Sequence, residues 1–161
     1  MLVRLGRQQA PVLVADVREP VFLVQGIYCN RLGQPTVVRW MAVSGLPDEP
    51  RVDEMEQVLA DAGVGPEMTN PPTEPDLAAL QRLVPAAVDA ATRELRRQRM
   101  AWEASIAAPL AAYRARLSGW QQRSLFHDVE KTVTDQIRIV DRLETSGEPL
   151  LRVLAVLEPA R

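Results

Sequence analysis

The chain has 161 residues, of which 47% are hydrophobic and 25% are charged, and its formal net charge at pH 7 is −2. This length supports one domain with a real core and is short for two domains. The charge lacks the overall basic excess of a dedicated nucleic-acid-binding domain, so any such role must be local. No apolar stretch approaches the roughly 20 residues of a membrane span, and the start lacks the apolar core of a signal peptide, so we expect a cytoplasmic protein.

The first part of the chain predicts strands. Residues 21–28 and 37–43 are apolar at both odd and even positions, which is typical of strands covered on both faces. The intervening residues 30–35 contain Asn, Gly and Pro, so a β-hairpin is expected. A shorter run at residues 12–17 predicts a preceding strand.

An acidic connector follows at residues 47–73. Residues 47–80 carry nine acidic residues and a single basic one, Arg51. Proline and glycine dominate the connector, with one short helix predicted over about residues 51–62 and ended by Gly63.

Residues 74–147 have the pattern of a helical arm. Thr73 to Asp76 provide a capping hydroxyl, a proline and an acidic group suited to a helix start. Apolar residues then recur every three, four or seven positions from residue 77 to residue 117, which places them on one helical stripe. Pro85 predicts a break, Pro109 a kink and Gly119 a turn.

A second apolar stripe predicts a second helix that returns antiparallel to the first. Its members are Phe126, Val129, Val133, Ile137, Val140 and Leu143. Residues 146–149 then end the helix, and residues 150–157 predict a closing strand in the same sheet as the hairpin.

The expected fold is therefore α+β: a small antiparallel sheet, made of the N-terminal hairpin and the C-terminal strand, with a long antiparallel helical arm inserted. We expect a single domain over residues 1–161. It comprises the hairpin region (1–46), the acidic connector (47–73), the helical arm (74–147) and the closing strand (148–157).

The sequence contains no recognisable catalytic, cofactor or metal motif. His127 is the one histidine and Cys29 the one cysteine, so the standard zinc ligand sets and an internal disulfide are excluded. No glycine-rich phosphate loop precedes a helix. We interpret His127 as a surface residue and expect no enzymatic activity, cofactor or metal for this chain alone.

Two parts of the arm are candidate binding surfaces. Arginines on its outer side, namely Arg93, Arg96, Arg97 and Arg114, are candidates for contacts with DNA phosphates. The alternative is a solvated charged face whose arginines pair with nearby acidic residues.

The second surface is a nearly uncharged section. From Ala101 to Tyr113 the one charged residue is Glu103, and a helix that is apolar all round is normally buried. It either packs within the fold or meets a partner, for which the candidate residues are Ala104, Ala107, Ala108 and Ala111. We interpret Trp40, Trp102 and Trp120 as packing anchors, with Trp102 buried; stacking platforms for nucleic acid are the alternative.

The hairpin and the closing strand together resemble the C-terminal accessory region of large bacterial SNF2-type helicase-like ATPases, in particular relatives from DISARM-type phage-defence systems. The matching residues are Asn30, Arg31, Gly33, Gln34, Pro35, Arg39, Trp40, Pro149 and the run from Arg152 to Leu157.

This resemblance implies a parent protein that translocates on DNA using ATP. The phosphate-binding loop, the acidic magnesium-binding box and the arginine finger of such a motor are absent here, so no catalytic residue is carried over. The chain would be a non-catalytic accessory domain that braces the motor, contacts DNA or docks a partner subunit. Its expected partner is the ATPase core, in the same polypeptide or complex. A stand-alone protein–protein interaction module that uses the apolar section of the arm is the alternative.

Overall fold

The computed structural model describes residues 10–66, 68, 74–123 and 127–160, without the side chains of residues 121–123 and 127–131. The fold is α+β, as predicted. Along the chain the elements are β1 (Val12–Ala15), β2 (Val21–Asn30), β3 (Pro35–Ser44), β4 (Arg51–Glu54), α1 (Met55–Asp61), α2 (Leu77–Arg123), α3 (His127–Leu143) and β5 (Thr145–Pro159). The strands of this described part form one sheet in the order β1-β5-β2-β3-β4.

The predicted hairpin is confirmed as β2 and β3. Its turn is held by Asn30, whose Oδ1 accepts the backbone N–H groups of Leu32 at 2.9 Å and Gln34 at 3.0 Å. Gly33 has a φ of +78°, a conformation that glycine adopts without a steric penalty.

The closing strand belongs to the same sheet as the hairpin, also as predicted. β5 lies between β1 and β2, and it pairs with β1 in parallel, with Val12 opposite Val156. The sheet is therefore mixed rather than wholly antiparallel. Pairing between the first strand and the last depends on the path of the whole chain, which no local sequence pattern specifies.

The helix predicted over residues 51–62 begins later than expected. Residues 51–54 form β4, an antiparallel edge strand that pairs with Met41–Ser44 of β3, and α1 starts at Met55. The four residues of β4 are mostly charged and suit a helix as well as an edge strand, so the pairing with β3 decides their conformation. Gly63, with a φ of +65°, follows the end of the helix as predicted.

Helix α2 is continuous over 47 residues, so the predicted break at Pro85 and turn at Gly119 are wrong. Pro85 and Gln81 are both exposed, and water can satisfy the carbonyl group that the proline leaves without a donor. The first turn is capped by Asp76, whose Oδ1 accepts the Ala79 N–H at 2.9 Å. The predicted cap Thr73 lies outside the described residues, and the kink at Pro109 stays a prediction.

The chain is arranged in two compact units. The first contains residues 1–27, 38–96 and 149–161. One of its two apolar clusters joins Phe22, Val24, Met41 and Val43 of the hairpin to Leu80, Ala87, Ala90 and Ala91 of α2. The other joins Val21, Leu23 and Ala42 to Met55 and Ala62, at the start of α1 and just after it. Alternate residues of β2 therefore enter different clusters, which explains why the strand is apolar at both odd and even positions from Val21 to Val24.

The second unit contains residues 28–37 and 97–148. It comprises the tip of the hairpin, the later part of α2, α3 and the beginning of β5. Val133 and Val140 of α3 are buried and Ile137 is half-buried, so the predicted second stripe is confirmed for these residues. Leu143 is exposed. Phe126 and the side chain of Val129 lie outside the described part.

Candidate interaction face of helix α2

The later part of α2 presents an uncharged face to solvent. From Met100 to Ala112 every exposed residue is uncharged: Met100, Ala101, Trp102, Ala104, Ser105, Ala107, Ala108, Pro109, Ala111 and Ala112. The inward residues Glu103, Ile106 and Leu110 are only half-buried. We call the exposed set, together with the exposed Ala115, the outer face of α2. It contains all four of the alanines that the sequence marks as partner candidates.

The tryptophans are not the packing anchors that the sequence suggests. Trp102 has 39% of its surface exposed, Trp40 has 49% and Trp120 has 59%. The prediction that Trp102 is buried is therefore wrong. Trp102 follows the apolar spacing of the helix but lies at the edge of the apolar stripe. Seven residues are slightly less than two full turns of a helix with 3.6 residues per turn, so side chains spaced by seven shift gradually around the helix. Trp102 and Trp120 are five turns apart and share one flank of α2.

Arg99 fixes the inner side of the same helix. Its guanidinium donates hydrogen bonds to Glu103 Oε1 at 2.7 Å and to the carbonyl oxygens of Thr145 and Gly147, both at 3.3 Å. It also lies over the ring of Tyr28, 5.0 Å from the centroid. The hydrogen bond to Glu103 raises the pKa of Arg99 further above its ordinary value. Arg99 therefore ties three parts of the second unit together.

Arg114 makes a second such connection. Its Nη2 atom lies 2.8 Å from Asp141 Oδ1 and 2.6 Å from Glu144 Oε1, which joins α2 to the end of α3. Hydrogen bonds to Glu144 and Asp141 raise the pKa of Arg114. Since these ion pairs link residues about 30 positions apart, α3 returns along α2 as an antiparallel partner, as predicted.

Of the four arginines predicted to contact DNA, three are exposed and one is held in ion pairs. Arg93, Arg96 and Arg97 are exposed on α2. Arg114 is half-buried and is engaged by two carboxylates, so a phosphate would have to displace them. The structural roles of Arg99 and Arg114 were missed at the level of sequence, because their hydrogen-bonding partners other than Glu103 are 27 to 48 residues away in the chain.

A cavity of about 400 Å³ lies beside these two arginines in the second unit. It is lined by Arg99, Glu103, Ile106, Ala107, Leu110, Arg114, Glu144 and Thr145. Its charged groups are already paired with one another, so the cavity offers no unsatisfied group to orient a substrate. Within the described residues, no group of three or more His, Cys, Asp or Glu side chains is placed to hold a metal ion. The side chain of His127, at the start of α3, is outside the described part.

No family model, curated protein or solved structure matches the chain. None of the helices in the described ranges combines the length and the apolar character needed to cross a membrane. The geometry of the residues is therefore the basis for a functional assignment, and its most distinctive feature is the outer face of α2.

Proposed function

We propose that this chain is a non-catalytic protein-interaction module that docks a partner protein through the outer face of α2. The observation that carries this proposal is the exposure of ten uncharged residues between Met100 and Ala112. A helix in water normally carries charged residues on its outward side, and an apolar outward side is typical of a surface that becomes buried.

The composition of the face suits contact with another helix. Alanines at positions 101, 104, 108, 111, 112 and 115 let a second backbone approach closely. Met100 and Trp102 add large apolar surface at one end, on opposite flanks of these alanines. Met100 is 70% exposed, so it contributes little to the isolated fold and has most of its area left to bury.

The resemblance to accessory regions of SNF2-type ATPases provides a class of partner. Under this proposal the face docks on the ATPase core of a DNA translocase, in the same polypeptide or in a complex, and braces it. Support for this more specific role comes from the hairpin residues Asn30 to Pro35 and from the closing strand. Phage defence as the biological setting belongs to the same proposal.

Co-elution of the full chain with the ATPase core encoded beside it tests the proposal. We expect Ala108→Asp to weaken the complex at least tenfold, because docking would bury an unpaired carboxylate. Gln136→Asp, which adds the same charge at an exposed position of α3, is the matched control and should leave binding unchanged. Both substitutions are at the surface, so both variants should melt like the wild type.

The absence of an ATPase gene beside this one would contradict the proposed role as an accessory domain of a SNF2-type ATPase. Equal affinity of the Ala108→Asp variant and the wild type for their partner would contradict the docking face itself.

A further inference from the structure

We draw no further inference here: the strongest candidate, the groove between Trp40 of β3 and helix α1, carries no proposal because nothing in the described part of the chain shows what covers it.

Discussion

The side chain of Arg99 makes several stabilising contacts at once. It forms an ion pair with Glu103, donates to two carbonyl groups at the start of β5 and covers Tyr28, a residue that is only 2% exposed. The planar guanidinium satisfies these partners at once, which a lysine ammonium does not do.

We therefore expect Arg99→Ala to lower the free energy of unfolding by about 2 kcal/mol, the sum of a charge-assisted hydrogen bond and a cation–π contact. Arg99→Lys should recover less than half of that loss. Urea denaturation measures both changes. Arg138→Ala, at an exposed residue of α3 that pairs with Asp135, should cost no more than about 0.5 kcal/mol. A similar small cost for Arg99→Ala would show that its contacts do not stabilise the fold.

Two glycines with positive φ differ in their surroundings. Gly45 has a φ of +69°, and a Cβ atom there would collide with the carbonyl oxygen of Glu49. Gly33 has a φ of +78° with no neighbouring atom within 4 Å of a Cβ position. Substitution by alanine adds backbone strain at both sites but adds a backbone collision at Gly45 alone.

Gly33→Ala should therefore cost about 1 kcal/mol, whereas Gly45→Ala should cost about 3 kcal/mol or more. Thermal and urea unfolding of the two variants give the comparison. Equal costs would indicate that the loop of Gly45 relaxes around the added methyl group and that the close approach of Glu49 is not required.

At the scale of elements, the arginines of α2 separate into exposed and structural residues. If α2 contacts DNA, the contacts fall on Arg93, Arg96 and Arg97, and binding should be weak, insensitive to sequence and lost as salt increases. Replacement of these three by Glu should abolish it in an anisotropy assay with labelled duplex DNA.

Arg114→Gln is the comparison for that assay. It should leave DNA affinity unchanged and lower the melting temperature, because Arg114 is engaged by Asp141 and Glu144. Loss of DNA binding in this variant at an unchanged melting temperature would show that Arg114 leaves its ion pairs to meet phosphate.

The closing strand is an interior strand of the sheet. β5 has neighbours on both sides and buries Val153, Ala155, Val156 and Leu157. A chain that ends at Gly147 should therefore lose its cooperative melt in circular dichroism, whereas a chain that ends at Pro159 should keep it. A truncated chain with the wild-type midpoint would contradict the role of β5 in a shared sheet.

For the molecule as a whole, the features that can be predicted from the sequence are those determined by residues close together in the chain. The hairpin follows from Asn30, Gly33 and the apolar runs on either side, and the return of α3 follows from the spacing of Val133, Ile137 and Val140. Each of these signals lies within a few turns or one loop of the structure it determines.

The sequence does not predict features that arise from distant contacts. The strand conformation of residues 51–54 depends on pairing with β3, and the parallel pairing of β1 depends on the last strand. The exposure of Trp102 was missed for a similar reason, since periodicity shows which residues share a side of α2 but not how much of that side α3 covers. The candidate alanines were identified as a group, whereas their exposure required the structure.

The chain forms two compact units, so the expected single domain over residues 1–161 is now a prediction that the two units unfold together. Both units draw residues from β2, β3, α2 and β5, so no single cut of the chain separates them. One cooperative unfolding transition is the expected behaviour.

Site-specific photocrosslinking in the native cell tests the central claim most directly. A benzoylphenylalanine at position 108, on the outer face of α2, should form a covalent adduct with one defined protein, identified by mass spectrometry. The same probe at position 138, on the exposed side of α3, should not. Absence of an adduct at position 108, or the same adducts at both positions, would contradict the assignment of the outer face of α2 as the docking surface.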